Sequence, residues 1–224
     1  MLTKEVKGAD CTYLFKAAYE NRYTWESDFP GYKGNCSWTD GKKVIKGSFS
    51  LGKDLKAIIH EIDDEKIHKA ISSQLWEVAI HRVKRSFEQT HSKNTFTFGE
   101  SNDMGSEVIV GGKNKGDKYR VKNDVVTMVY RHIHGNLIVI STDEVTHTGN
   151  GYLSKRYSSQ YLDPISKNDL KGKSFYTDDF IPLYPEGPWV LASRSIHQES
   201  SEGAIFNKQE FSFSELKSLS SNEG

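Results

Sequence analysis

The chain has 224 residues in which 30 Lys plus Arg balance 30 Asp plus Glu. With a formal net charge of zero there is no bulk electrostatic case for nucleic acid or an anionic membrane as partner. Hydrophobic residues at 36% and aromatic residues at 12%, with 5 prolines, exclude a disordered chain and point to one folded, Tyr- and Phe-rich sheet protein.

The two cysteines, Cys11 and Cys36, have no CxxC spacing, so neither a disulfide framework nor a Cys-based zinc site is expected. The N-terminal segment MLTKEVKGADC has no apolar signal region, and no run approaches the ~20 apolar residues of a membrane-spanning helix. The expectation is a soluble, cytoplasmic protein. Residues 1–9 read as a loose arm, 10–214 as a single domain and 215–224 as a frayed polar tail.

A first helix is expected from about Asp10 to Tyr23, with Leu14, Phe15 and Ala18 on its buried side. Pro30-Gly31 then forces a turn, and three strands follow between Tyr32 and Ile62, with Asp40-Gly41 as a two-residue hairpin signal. The longest helix is expected over Asp63–Gln89, capped by Asp63 or Asp64, with Ile67, Ala70, Ile71, Leu75, Val78 and Ala79 at helical spacing. Leu75, Trp76, Val78, Ala79, Ile80 and Val83 point in most directions around its axis, which predicts a largely engulfed helix with Trp76 and Ile80 wedged against sheet. Beyond it the sequence alternates through strands at about 94–99, 106–111, 118–122, 125–133 and 137–143, and four longer strands complete the chain. The short connections favour an antiparallel meander. The fold class is therefore α+β, mostly β: one large curved antiparallel sheet, a half-barrel, wrapped around a long central helix, with a second helix at the N-terminus.

The segments AAYENRYTW (17–25), DFPGY (28–32), IHRVKRSFEQTHSKNTF (80–96) and YRHIHG (130–135) resemble a family of cyanobacterial and chloroplast proteins of unknown function, over about Leu14–Phe213. The resemblance implies a photosynthetic lineage and a cytosolic or stromal site, and brings no activity with it. The order of helix, three strands, long helix and meander is also similar in architecture to the half-barrel of lipoprotein carriers, which hold acyl chains between a curved sheet and plugging helices. Fold alone transfers no function.

Two constellations stand out. Tyr130, His132 and His134 share one strand face, opposite Arg131 and Ile133, and two imidazoles at i and i+2 suit a catalytic or metal role if a third ligand arrives from elsewhere. No third ligand is fixed by spacing, so no metal and no cofactor is expected. Carrying the helical wheel forward puts Arg82 and Arg85 on the side of Ile71 and Val78, where a guanidinium waits for solvent, a carboxylate or an anionic ligand. With Tyr23, Trp25, Tyr157 and Tyr161 as aromatic lining, this gives the leading expectation: a non-enzymatic protein that shelters an apolar or amphipathic ligand, such as an acyl chain, isoprenoid or pigment, between sheet and helix. An enzyme built on His132 and His134, and an assembly or scaffold factor with a protein partner, are the alternatives from other classes.

Overall fold

The computed structural model describes residues 4–200 and 202–220, and among these the backbone forms three helices and twelve strands. In chain order they are α1 (Lys4–Glu20), β1 (Gly31–Thr39), β2 (Val44–Gly52), β3 (Ala57–His60), α2 (Glu65–Ile80), α3 (Phe87–His91), β4 (Asn94–Asn102), β5 (Gly105–Gly112), β6 (Lys118–Lys122), β7 (Val125–Ile133), β8 (Asn136–His147), β9 (Tyr152–Leu162), β10 (Asp169–Pro182), β11 (Trp189–Glu199) and β12 (Ile205–Ser218). The strands form one open antiparallel sheet in the order β3-β2-β1-β12-β11-β10-β9-β8-β7-β6-β5-β4. The mostly-β class and the antiparallel meander are as expected. The single non-sequential neighbour is β1 beside β12, where Tyr32 opposes Ser218 and Cys36 opposes Phe213.

The chain divides into two compact units. The first comprises residues 1–23, 85–175 and 198–204. Here α1 lies over β4, β6 and β7. Its buried positions Cys11, Phe15, Ala18 and Tyr19 recur at three- and four-residue spacing, so they form one stripe along the helix. That stripe meets Phe87, Phe96, Val108, Val110, Tyr119 and Val121 to make the core of this unit. The Ser86 hydroxyl accepts the Gln89 N–H while the Gln89 side chain accepts the Ser86 N–H, a capping box that starts α3 and turns Phe87 and His91 inward.

The second unit comprises residues 24–84, 176–197 and 205–224. The Asp64 carboxylate accepts the N–H groups of Lys66 and Ile67 and so starts α2, as the sequence predicts. The helix stops at Ile80, not at Gln89. His81 and Arg82 tighten into 3₁₀-type bonds to Val78 and Ala79, and the Arg82 carbonyl accepts the Trp25 N–H at 2.8 Å, so it is withdrawn from any further helical ladder. Against β3 and β1 the helix buries Ile67, Ile71, Leu75, Val78 and Ala79, while Trp76 is 50% exposed. The engulfed helix with a wedged Trp76 is therefore corrected to one buried stripe. Leu75→Ala is expected to cost about 2 to 5 kcal/mol, as a buried leucine truncation does, and Trp76→Ala less than about 1 kcal/mol. Urea titration of both variants checks the contrast, and equal losses would contradict it.

Three smaller expectations also change. Helix α1 begins at Lys4, inside the stretch read as a loose arm, and residues 1–3 lie outside the described residues. The Asp40-Gly41 hairpin has a four-residue loop, because Thr39 pairs with Val44 and the Asp40 carboxylate accepts the N–H groups of Lys42 and Lys43. The C-terminal tail read as frayed from 215 continues β12 to Ser218, and the buried Leu219 donates its N–H to Gly31 O at 3.0 Å; residues 221–224 lie outside the described residues.

Candidate functional site: a half-covered apolar face beside Arg131

Antiparallel register fixes which side chains share a face, because directly opposed residues project the same way. In the first unit Phe96 opposes Val110, Val108 opposes Tyr119, and Tyr119 opposes Val129. All of these pack in or against the buried core under α1. The same face then continues: Val129 opposes Ile140, which opposes Ser159; Arg131 opposes Ile138, which opposes Tyr161; and Thr142 opposes Tyr157. The principal contacts of α1 end at β7. Beyond it Ile138, Ile140, Tyr157 and Tyr161 are half-buried, whereas Val108 and Val110 are buried. An apolar face that outruns the helix covering it is the distinctive feature of this unit.

Arg131 stands on that face at its junction with the core. Its Nε donates to Asp117 Oδ2 at 3.4 Å, and Asp117 is buried in the turn before β6. Asp117 Oδ1 also accepts the His132 backbone N–H at 3.0 Å and lies 3.3 Å from His132 Nδ1. Among the described residues no other acceptor for the Arg131 guanidinium is found, so its two terminal nitrogens remain available.

A second guanidinium, Arg22, stands two residues past the end of α1. Arg22 lies 3.8 Å over the Tyr19 ring and donates Nε–H to Tyr19 O at 2.8 Å, with no carboxylate partner among the described residues. It is held there because residues 21–23 run beside the start of β9: Arg22 bridges to Tyr152, and the Tyr23 N–H donates to Tyr152 O at 2.9 Å. Gly151 permits this approach. A Cβ there would sit 2.6 Å from Asn21 O, at a φ of +131°. The Tyr19 ring packs 5.2 Å from His91, which in turn lies 6.2 Å from Tyr119. Burial first, then repulsion from Arg131 and Arg22, pushes the His91 imidazole down to about 4, so it is neutral at neutral pH and its Nδ1 accepts from the Asn94 amide at 3.1 Å. Burial likewise pushes the Tyr119 hydroxyl up to about 12.

The residues singled out in the sequence scatter. Tyr157 and Tyr161 lie on the half-covered face, and Lys171 stands 4.9 Å over the Tyr161 ring. Tyr23 is buried in the first unit, whereas Trp25 is buried in the second with its indole N–H donated to Trp189 O at 2.9 Å. Arg82 is half-buried with its Nε 3.5 Å from Val78 O, and Arg85 is exposed. Because α2 ends at Ile80, the wheel that put both arginines beside Ile71 and Val78 does not extend to them. Tyr130 and His132 do share a face, in edge contact at 5.9 Å, but His134 leaves the strand with φ +50° in the turn at Gly135. Among the described residues no three His, Cys, Asp or Glu side chains come together as a metal set would. Sequence reasoning missed Asp117, Arg22 and the importance of Arg131; the Arg131 signal was present, since a lone arginine alternates with Val129 and Ile133 on an otherwise apolar strand face.

Two grooves open elsewhere. One, of about 570 Å³ in the first unit, runs between α1, α3 and β4 past Thr12, Phe87 and Asn94, and its charges are matched, with Lys16 paired to Glu88. The other, of about 420 Å³ in the second unit, is floored by polar residues including Asn35, Ser48 and His60.

A family model described as a protein of unknown function, DUF3386, matches residues 6–219. No curated protein matches the chain. Among solved structures, a LolA superfamily protein from Nitrosomonas europaea is similar at 10% identity and a TM-score of 0.34, covering 94% of each chain. A DUF1329 family protein from Desulfovibrio piger is similar at 12% identity and a TM-score of 0.29, covering 96% of this chain and 95% of that one.

Proposed function

This chain belongs to the DUF3386 family of proteins of unknown function, and we propose that it is a binding protein for an apolar or amphipathic small molecule, held on the face that β7, β8 and β9 extend beyond α1. The observation that carries this reading is the continuity of that face. The register-matched row that is core at Val108 and Tyr119 runs through Val129 to half-buried Ile140 and Ser159, and half-buried Ile138, Tyr157 and Tyr161 stand in the rows on either side of it. Leaving such side chains partly in water forgoes about 25 cal/mol for each Å² that a ligand would cover, a gain from which the cost of ordering the ligand is then subtracted.

An acyl chain, an isoprenoid or a pigment would each fit this description. The reading keeps the photosynthetic setting, and the cytoplasmic or stromal site, that the AYENRYTW, DFPGY and YRHIHG motifs imply. Tyr157 and Tyr161 contribute ring faces to the ligand, whereas Tyr23 acts from inside the fold, through its backbone bond to Tyr152 at the start of β9, and Trp25 lies in the second unit and takes no part.

Titration with N-phenyl-1-naphthylamine, whose fluorescence rises in apolar surroundings, tests the reading. Wild type is expected to bind the dye saturably, and Ile140→Glu to weaken binding about tenfold or more, because a carboxylate on that face must be desolvated by the ligand. A flat titration in wild type, or an unchanged affinity in a folded Ile140→Glu, would refute it.

A further inference from the structure

The chemistry beside the strip goes further than the strip itself. Resting on the binding reading above, we infer that the natural ligand is a long-chain carboxylate whose head group is received by the terminal nitrogens of Arg131, with Arg22 as the second cation. Three observations on the same unit point there. Arg131 spends only its Nε on Asp117, and Arg22 only its Nε on the Tyr19 carbonyl, so both leave the forked end of the guanidinium unused. Arg131 lies on the same face as Ile138 and Tyr161 and directly opposite Ile138, so a chain lying along the strip ends against it. The charges that bear on His91 are two half-buried arginines, Arg131 and Arg22, and one buried carboxylate, Asp117, while His91 itself is neutral. That leaves one positive charge unmatched in a partly desolvated place, which a monoanion neutralises and a neutral amphiphile does not. Lys171, over Tyr161, is exposed and keeps its own hydration.

Asp117 is then a positioning residue. Its second oxygen is committed to His132, so it holds the Arg131 stem without competing for the outer nitrogens. This also gives His132 a place in the site that needs no catalysis: its backbone N–H and ring fix the carboxylate that fixes the arginine.

The experiment compares oleate with oleyl alcohol and oleyl phosphate as displacers of the bound dye, on the full chain, in wild type, Arg131→Gln and Arg22→Gln. The alcohol measures the strip, and the acid measures strip plus charge. Oleate is expected to bind wild type about tenfold or more tightly than the alcohol, the scale of a charge-assisted hydrogen bond, and at least as tightly as the dianionic phosphate. Arg131→Gln is expected to lose the acid's advantage while its affinity for the alcohol stays within about twofold, and that retained affinity shows that the variant is folded. Arg22→Gln is expected to reduce the advantage partly, and it carries the test alone if Arg131→Gln does not fold. Equal binding of acid and alcohol by wild type, or an undiminished preference for the acid in a folded variant, would overturn the assignment of the anion and leave the strip standing. Clearly tighter binding of the phosphate would overturn the monoanion. Failure of all three ligands and of the dye would refute the binding reading itself.

Discussion

Replacing Arg194 by Ala is expected to destabilise the second unit by about 3 to 5 kcal/mol, because it strands a buried carboxylate. Arg194 on β11 is 2% exposed, and it is bidentate to Asp178 on β10, with Nε to Oδ1 at 2.8 Å and Nη2 to Oδ2 at 2.7 Å. Its Nη1 donates to Gln74 at 2.8 Å and Glu77 at 3.3 Å, both on α2, and its guanidinium lies 5.3 Å from the Tyr176 ring centre. One cation thus satisfies two strands and a helix at once. Asp178 is 1% exposed, so removing the arginine takes away the cation bonded to both of its oxygens in a place that water solvates poorly. The double variant Arg194→Met, Asp178→Leu removes both charges and is expected to recover most of the loss, as paired replacements of buried ion pairs do. Urea unfolding of the three proteins measures both terms. A loss under about 1 kcal/mol in the single variant would show that the site relaxes and hydrates instead.

The other large effect is expected from Phe15→Ala, at about 3 to 5 kcal/mol, the range of buried phenylalanine truncations. Phe15 is fully buried and forms the hub of the first unit's aromatic cluster. Its ring centre lies 4.4 Å from Tyr119, 5.1 Å from Phe96, 5.2 Å from His91 and 5.6 Å from Phe87. Edge-to-face and tilted pairs of this kind add to simple burial, so losing the hub costs more than its area. Because the cluster joins α1, α3, β4 and β6, its members cannot collapse into the gap without moving secondary structure, which keeps the cavity open. Near-UV circular dichroism and urea titration together read the outcome, and an aromatic spectrum unchanged with full stability would place Phe15 outside the core.

The same two sites show where the sequence is legible. Alternation identified the strands of residues 118–122 and 125–133 to the residue, since a half-buried strand repeats every two positions whatever its partners. Asp64 was legible as a cap because its bond to the following N–H groups is local. Reading α2 through to Gln89 failed on an equally local signal, the Ser86–Gln89 capping box, which lies inside the stretch read as one helix. The arginines of that segment were then placed by a wheel that the chain does not follow, and the candidate site moved from Arg82 and Arg85 to Arg131 and Arg22.

By itself, then, the sequence determined what depends on near neighbours: the mostly-β antiparallel class, the start of α2 and the stripe of α1 around Phe15. Only the tertiary structure decided what depends on partners far along the chain. The pairing of β1 with β12 joins residues 32 and 218; Asp117 comes under Arg131 through the β6–β7 pairing; and Arg194 finds Gln74 across 120 positions. The reason is physical. Periodicity records whether a side chain faces core or water, but an arginine on an apolar face has the same sequence whether neighbours take donors from all three of its nitrogens, as Asp178, Gln74 and Glu77 do at Arg194, or a carboxylate takes only one, as Asp117 does at Arg131.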